Sequence, residues 1–487
     1  SIVFTGGASP VSVTPTYDSA SYVYTAAAPA AVYEYAAEHT VSCTVNGVTS
    51  FISRGVTVLP GDADASTSTF TVPTDDVVAG TAFTLNAVLR DEYSNMLTSD
   101  QSMAVVFTGP SSSGGSTTYP SNMRFDYSAD TYFVTAPTDV YRYAADYTVT
   151  LADQGTYTQF IDGGSFTVVP ASPHAPSSTF TVHDTNQVAG TFMSISLTLA
   201  DEYTNTIFAE QSVSFVVAGG PSPVTLSPTY DPSQGVYFTV APASVYETAA
   251  EYTISCTVNG ETSFLSEDVT VSPGDADAST STFTVPTDDV VAGTAFTLNA
   301  VLRDEYSNML TSDQSMAVVF TGPSSSGGST TYPSNMRFDY SADTYFVTAP
   351  TDVYRYAADY TVTLADQGTY TQFIDGGSFT VVPASPHAPS STFTVHDTNQ
   401  VAGTFMSISL TLADEYTNTI FAEQSVSFVV AGGPSPVTLS PTYDPSQGVY
   451  FTVAPASVYE TAAEYTISCT VNGETSFLSE DVTVSPG

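Results

Sequence analysis

The chain has 487 residues, of which 49 are acidic and seven are basic, and its net charge at pH 7 is −42. All seven basic residues are arginines, and a surface this acidic repels phosphate, which makes nucleic acids and anionic membranes poor partners. Hydrophobic residues make up 42% of the chain and aromatic residues 12%, enough for packed cores, so the composition excludes a disordered acidic polymer.

A tandem repeat organises the sequence. Residues 275–487 repeat residues 62–274 without a substitution, and each copy is itself double, because 78–95 aligns with 188–205. Two units of roughly a hundred residues fit one copy, the usual size of a small β-sandwich domain. We therefore predict a partial domain at 1–61, type A domains at 62–170 and 275–383, and type B domains at 171–274 and 384–487. Arrays gain length or valency by such duplication, whereas catalysis rarely needs it.

Strand patterns begin in residues 1–61, where short runs rich in Val, Thr, Tyr and Phe lie between turn residues, with no sustained helical period. In each full unit, apolar residues at every second position predict a strand with one buried face. These are Phe83, Leu85, Ala87 and Leu89 in type A and Met193, Ile195, Leu197 and Leu199 in type B.

The remaining elements of the type A unit follow a turn at 91–95. A strand is predicted at 103–107, and residues 109–122, rich in Ser, Gly and Pro, are predicted to form an exposed loop. Three later runs (TYFV, DYTVTL and GSFTVV) predict further strands, and Tyr147 and Val149 are expected to face the core. Seven short strands per unit is typical of an immunoglobulin-like sandwich.

The linkers alternate in composition. Pro170, Pro173 and Pro176 stand at every third position between types A and B, which favours polyproline II and a stiff spacer. The linker at 273–278, which first occurs at 60–65, is short and acidic. One linker is thus predicted to be stiff by its backbone, and the geometry of the other to be set by a bound ion.

Three motifs of the type A unit resemble filamin-type immunoglobulin-like repeats. Residues 79–81 (AGT) enter a strand that ends in DEYSN, similar to the family's strand and D-x-x-G-N turn. DTYFVTAP at 130–137 followed by ADYTV at 145–149, and GGSFTV at 163–168, are similar to its tyrosine and closing motifs. The turn glycine of the family is replaced by Ser94 or Thr204, and the glycine before the second tyrosine motif by Ala145 or Ala250. The resemblance implies an all-β tandem array of seven-stranded sandwiches; without a calponin-homology segment, it does not imply actin cross-linking.

Motifs that carry catalysis are absent from the sequence. The lack of Lys excludes a P-loop, and no G-x-S-x-G, C-x-x-C or H-E-x-x-H occurs. Paired carboxylates recur with the repeat in turns and linkers, so we predict no enzyme and no catalytic or cofactor-binding residues. The histidines have no ligand-type neighbours and are expected at the surface; they are His39, His174, His183, His387 and His396.

The three cysteines, Cys43, Cys256 and Cys469, occupy one position in successive type B units. No unit contains two cysteines, so no disulfide can form within a domain. We expect each to be a small buried hydrophobe on a strand, with cross-linking between chains as the alternative.

The acidic turns and linkers are the candidate metal sites, with Ca²⁺ as the candidate ion. Oxygen ligands suit Ca²⁺, which takes about six to eight of them, although short carboxylates also stabilise turns. The candidate ligands are Asp91, Glu92, Asp304 and Glu305 in the turns and Asp62, Asp64, Asp275 and Asp277 in the linkers. Asp201, Glu202 and Asn205 form the same turn in type B. Solvated turn carboxylates are the alternative interpretation.

Three functions fit these patterns. The favoured one is a structural array, a segment of an acidic extracellular or cell-surface filament, hair or stalk, whose partners would be further copies of itself or neighbouring repeat chains. The second is an adhesion module in which loops such as 111–120 bind a partner, and the third is an intracellular scaffold.

Without an Asn-x-Ser/Thr sequon, glycans would have to be linked through Ser, Thr or Pro, at 111–120 and 170–178. No apolar stretch is long enough to insert into a membrane.

The first 61 residues align with the second half of a type B unit, with Ser1 at the position of Ser214. The strands that precede this position in type B have no counterpart there, so Val3, Tyr22, Tyr24, Val41 and Cys43 are expected to be exposed. We expect either a longer repeat array or completion of this sandwich by a strand of a neighbouring subunit.

Overall fold

A computed structural model describes residues 1–110, 116–323 and 329–487. Contacts divide the chain into two compact units. The first contains Ser1–Thr185, Met193–Ala241 and Tyr252–Val269, and the second contains Asn186–Phe192, Pro242–Glu251 and Thr270–Gly487. The type B segment 171–274 is shared between the units, whereas each of the other predicted segments lies within one unit. The domain boundaries stay predictions.

Residues 1–61 hold six strands and one turn of helix. They are β1 (Ile2–Thr5), β2 (Val11–Val13), β3 (Thr16–Asp18), β4 (Val23–Thr25), α1 (Ala30–Tyr33), β5 (Glu38–Val45) and β6 (Val48–Thr57). The main sheet has the order β2-β1-β5-β6, and β3 pairs only with β4. Tyr22 and Tyr24 are exposed, as expected, whereas Val3, Val41 and Cys43 are half-buried. His39 is buried and lies 2.8 Å from the Tyr35 carbonyl oxygen through Nε2, so the expectation of a surface histidine is wrong there.

The described part of the type A segment 62–170 forms nine strands. They are β7 (Thr69–Thr71), β8 (Val77–Val78), β9 (Thr84–Val88), β10 (Met103–Pro110), β11 (Ser116–Asn122), β12 (Arg124–Asp126), β13 (Thr131–Thr135), β14 (Ala145–Asp153) and β15 (Gln159–Val169). A five-stranded sheet, β11-β10-β14-β15-β8, faces a four-stranded sheet, β12-β13-β9-β7. Two stretches of the chain each contribute a strand to both sheets. After Thr71 the chain passes from β7 to β8, and at Met123 it passes from β11 to β12, so seven extended stretches form nine strands.

The type B segment 171–274 also holds nine strands. They are β16 (Thr179–Val182), β17 (Asn186–Val188), β18 (Met193–Thr198), β19 (Val213–Ala218), β20 (Val224–Leu226), β21 (Thr229–Asp231), β22 (Val236–Ala241), β23 (Ala250–Val258) and β24 (Glu261–Ser272). Its four-stranded sheet, β16-β18-β22-β21, lies entirely in the first compact unit.

The second copies repeat these elements. In type A they are β25 (Thr282–Thr284), β26 (Val290–Val291), β27 (Thr297–Val301), β28 (Met316–Pro323), β29 (Ser329–Asn335), β30 (Arg337–Asp339), β31 (Thr344–Thr348), β32 (Ala358–Asp366) and β33 (Gln372–Val382). In type B they are β34 (Thr392–Val395), β35 (Asn399–Val401), β36 (Met406–Thr411), β37 (Val426–Ala431), β38 (Val437–Leu439), β39 (Thr442–Asp444), β40 (Val449–Ala454), β41 (Glu464–Val471) and β42 (Glu474–Ser485). Single 3₁₀ turns occur at Ala175–Ser177, Ala243–Val245, Ala388–Ser390 and Ala456–Val458.

Each core lies between the two sheets, where the predicted alternation places it. Leu85 and Leu89 are fully buried, as are Tyr147 and Val149, while Phe83 is half-buried and packs against them. The four predicted type B residues, Met193 to Leu199, are also buried. The register and the core positions are therefore confirmed, and the fold is a tandem array of immunoglobulin-like β-sandwiches.

The predicted loop 109–122 is wrong over most of its length. Gly109 and Pro110 end β10, and Ser116–Asn122 form β11, with Pro120 opposite Val106. β11 is an edge strand with a single neighbour, so a proline can stand in it without breaking a ladder on a second side. Residues 111–115, part of the predicted partner-binding and glycan-carrying stretch, lie outside the described residues.

Candidate functional site

The structure brings the Asp-Glu-Tyr-x-Asn turns to the joints between successive domains. The turn 91–95 follows β9, and its first residue, Asp91, is only 2% exposed. Asp91 Oδ1 accepts hydrogen bonds from the backbone N–H groups of Tyr93 (3.0 Å) and Asn95 (2.8 Å). Asp91 Oδ2 accepts from the backbone N–H of Gly61 in the linker (2.9 Å) and from Asn95 Nδ2 (2.8 Å). One buried carboxylate thus fixes the turn and ties the linker to it.

Four donors satisfy this carboxylate, which its burial requires. Burial acts to raise the pKa of Asp91, but the hydrogen bonds from Asn95, Gly61 and Tyr93 outweigh it and hold the pKa below its usual value. Asp201, Asp304 and Asp414 repeat the arrangement, with exposed fractions of 1% or less. Their linker donors are the backbone N–H groups of Ala171, Gly274 and Ala384.

The asparagine of each turn reaches the preceding domain. Asn95 Nδ2 donates to the Glu34 carbonyl oxygen (3.0 Å), and the Ala36 N–H donates to Asn95 Oδ1 (2.9 Å). The same two bonds recur at the next three joints. They join Asn205 to Arg142 O and Ala144 N, Asn308 to Glu247 O and Ala249 N, and Asn418 to Arg355 O and Ala357 N, at 2.6–2.8 Å. Every joint is therefore bridged by one side-chain amide, whose partners in the preceding domain are backbone atoms.

At three of the four joints, the tyrosine of the turn supplies a contact with the preceding domain. Tyr203 lies against Gly80 of the preceding domain, and Tyr306 and Tyr416 lie in the same way against Gly190 and Gly293. A Cβ added at Gly80 would stand 2.1 Å from the Tyr203 hydroxyl oxygen, and φ there is +72°. Only glycine fits both the backbone conformation and the close approach of the ring. We call the Asp, Tyr and Asn of one turn the joint clasp.

The predicted Ca²⁺ ligands occupy different positions in this arrangement. Asp91 and Asp304 are the buried residues of two clasps, while Asp62, Glu92, Asp275 and Glu305 are exposed. Asp64 accepts hydrogen bonds from Ser66 through both its hydroxyl and its backbone N–H, which hold the pKa of Asp64 below its usual value; Asp277 and Ser279 repeat this. Within the described ranges, no three His, Cys, Asp or Glu side chains converge on a point that could hold a metal ion. Calcium binding stays a prediction.

The joint clasp was missed by sequence reasoning, although a signal for it exists. The turn recurs at all four joints with Asp and Asn four residues apart, and a linker residue, Gly61 for Asp91, always lies 30 residues before the aspartate. Both kinds of linker donate a backbone N–H to the clasp aspartate in the same way, and the stiff and ion-set linkers stay predictions.

The type A to type B joint also contains a groove of about 880 Å³, present in both copies. Val168, Pro170, Pro173, Ile207 and Phe208 line its apolar part, and no charged residue lines it. Phe208 is 57% exposed, and the type A turns carry Thr at this position. The groove is an uncharged patch on an acidic chain.

Two of the three cysteines behave as expected. Cys256 and Cys469 are fully buried on strands, and burial raises the pKa of both thiols. Cys43, in residues 1–61, is half-buried. All three are free thiols. Among the described helices, none is long and apolar enough to cross a membrane.

Comparison with known proteins finds likeness at the level of solved structures. No family model and no curated protein matches the chain. The Escherichia coli adhesin FdeC is 18% identical over 65% of this chain and 99% of its own, with a TM-score of 0.43. Invasin, a bacterial integrin-binding protein, is 16% identical over 86% and 79% (TM-score 0.37), and Yersinia pseudotuberculosis InvD is 16% identical over 63% and 98% (TM-score 0.40). Because all three TM-scores lie below 0.5, these likenesses carry no conclusion about function.

Proposed function

We propose that this chain is a non-enzymatic segment of an adhesion-type repeat protein, displayed outside the cell or on its surface. In this function the domains form a spacer with fixed joints and present binding surfaces at regular intervals along the chain. A filament, hair or stalk would use the same segment as a purely structural spacer. The filamin-type assignment of the domains belongs to this proposal.

The joint clasp is the observation that carries the proposal. A flexible string of domains needs only a linker, whereas here each joint has a buried carboxylate, a bridging amide and, at three of the four, a tyrosine that contacts the preceding domain's glycine. Hydrogen bonds of this kind each contribute about 0.5–1.5 kcal/mol, so three or more at one joint oppose bending. A spacer that must hold a distance requires this restraint.

The adhesive part of the proposal is supported by the groove of the type A to type B joint. Its volume of about 880 Å³ is within the range of ligand sites, and its uncharged wall contrasts with the net charge of −42. The clasp forms one side of the groove through Asn205, so a ligand bound there would contact both domains. The purely structural function has no use for such a recess.

Small-angle scattering of the 487-residue chain tests the spacer. The double substitution Asn205→Ala and Asn418→Ala removes the bridging amide at both type A to type B joints. We expect a broader distribution of interatomic distances, with a less sharply defined maximum distance. The matched control is Asn86→Ala with Asn299→Ala, because these exposed asparagines lie mid-strand, away from the clasps. If the clasp variant and the control scatter like the unaltered chain, the joints are not held by the clasps and the spacer function fails.

A further inference from the structure

The outer face of the four-stranded sheet in type B is poor in charged residues, although the chain as a whole is strongly acidic. Register places Thr229, Phe238, Ser196 and Thr181 in one row across the four strands, with their side chains on the same side. Val240 and Ser194 form part of the next row, which His183 extends at the margin. Phe238 and Val240 are each 45% exposed. Thr, Ser, Phe and Val therefore form a flat surface.

The face has one carboxylate, at its corner. Asp231 ends β21, and its Oδ1 accepts hydrogen bonds from the backbone N–H (2.9 Å) and hydroxyl (2.7 Å) of Ser233 in the adjoining turn. The second copy has the same face, in which Phe451 and Val453 are 48% and 51% exposed. Exposure is thus similar in both copies.

Neighbouring surfaces do carry charge. In the second type B copy, the five-stranded sheet exposes Glu464 and Asp481, which accept hydrogen bonds from Thr483 (3.3 Å) and Thr466 (2.8 Å). In type A, the corresponding four-stranded face has Arg124 and Asp126 on its edge strand β12. The type B face therefore differs from its type A counterpart by having Thr229 in place of the arginine, and it occurs once in each copy of the repeat.

We propose that this face pairs with the same face of a second copy of the chain. Two chains of net charge −42 repel each other wherever carboxylates meet, so close approach is least costly at a face whose one carboxylate lies at a corner. The flat rows of Thr, Ser, Phe and Val can stack on an identical sheet, as sheets do in a sandwich. A two-fold contact of this kind uses one surface on both partners. The proposal rests on the repeat array above only for the number of faces per molecule.

The area of the face limits its strength. Four strands about 4.8 Å apart and five residues long cover about 300 Å², so one pair of faces buries about 600 Å². A specific stable interface needs about 1,200–2,000 Å². One contact is therefore weak, and the second type B copy carries an equal face that offers a second contact of the same kind.

Salt distinguishes this contact from an ion-paired one. Raising ionic strength shortens the Debye length from about 10 Å at 0.1 M to about 3 Å at 1 M, which screens the repulsion between the acidic chains. An interface without ion pairs has no favourable charge–charge attraction that salt could weaken. Association should therefore become stronger with added NaCl, whereas an interface made of salt bridges would become weaker.

Sedimentation velocity of the 487-residue chain tests the proposal at concentrations up to about 100 µM, at low and at high NaCl. We expect the weight-average mass to rise toward that of two chains, and to rise further with salt. Phe238→Asp with Phe451→Asp should weaken association at least about 10-fold, because the added carboxylates meet across the contact. Thr181→Asp with Thr394→Asp should do the same from the neighbouring strand. Ser266→Asp with Ser479→Asp adds the same charge on exposed positions of the five-stranded sheet and should leave association unchanged.

A mass that stays at one chain under all conditions would overturn the proposal and leave the face to a neutral ligand such as a glycan. Equal weakening by all three double variants would also overturn it, because the effect would then come from net charge alone. Circular dichroism of each variant establishes that it is folded. If the face variants lose association but scatter like the unaltered chain at low concentration, the proposed spacer stands. If the clasp variants change the scattering but the chain still associates, the self-association stands.

Discussion

The contact between the clasp tyrosine and the preceding glycine can be measured with a matched pair of substitutions. Gly190 and Gly403 occupy the same position in the two type B copies, with φ of +78° and +79°. A Cβ at Gly190 would stand 2.3 Å from the hydroxyl oxygen of Tyr306 and 2.4 Å from its Cε2, whereas a Cβ at Gly403 meets nothing within 4 Å. The pair therefore separates backbone strain from the joint contact.

The two variants should differ by the displacement of one ring. Replacement by Ala costs about 1–2 kcal/mol at either glycine, because the left-handed conformation is unfavourable for an L-residue. At Gly190 the ring of Tyr306 must also move by roughly 1 Å or more, and overpacking of this size costs about 1–3 kcal/mol. In Gly190→Ala the joint should thus open more easily, whereas Gly403→Ala should suffer only the backbone strain.

Amide hydrogen exchange measures the opening of the joint itself, and it does not require the assumption that a multidomain chain unfolds in two states. The Ala249 N–H, which donates to Asn308 Oδ1, should exchange about 5- to 100-fold faster in Gly190→Ala, since each 1.4 kcal/mol is about tenfold. Gly403→Ala should leave that amide unchanged, and Tyr306→Ala should remove most of the extra effect of Gly190→Ala. Equal exchange in the two glycine variants would refute the contact.

Three further outcomes are expected. Leu85→Ala should destabilise the first type A domain by about 2–5 kcal/mol in denaturant unfolding, since Leu85 is fully buried, and a cost below about 1 kcal/mol would contradict its place in the core. Thr204→Gly and Thr417→Gly should each raise stability by about 1 kcal/mol, because both threonines have φ near +70°, and a loss in thermal unfolding would show that the side chain has another role. Ca²⁺ is predicted to lengthen and narrow the chain in scattering relative to chelator, through the linker residues Asp64 and Asp277; no change would leave charge repulsion as the account.

The sandwich cores could be predicted from the sequence because burial leaves a local pattern. Leu85 and Leu89 are apolar at a period of two, and the same period placed Ile195 and Leu197. β11 was missed because an edge strand with one neighbour tolerates Ser, Thr and Pro, which in composition resemble a loop. Periodicity thus identifies buried strands better than edge strands.

The joint clasp could not be predicted because its partners are distant and mostly backbone. The acidic turn suggested a metal site, since carboxylates are metal ligands, yet Asp91 binds N–H groups from the linker 30 residues earlier. Asn95 contacts atoms about 60 residues away, and nothing in the side chains of Glu34 or Ala36 signals this. The left-handed Ser94, where the resembling family has glycine, is explained only once the turn is seen folded around the carboxylate.

A joint recognised through backbone atoms makes the domains interchangeable. Asn95 and Asn308 bind a carbonyl group of glutamate, and Asn205 and Asn418 bind one of arginine, with the same geometry. Because the joint needs only backbone atoms and a glycine that types A and B share, a domain of either type can follow the other without a new interface having to evolve. Recombination between the identical copies could therefore lengthen or shorten the protein by 213 residues at a time, and every product would have working joints. The number of domains is thus a property that this gene can change two at a time.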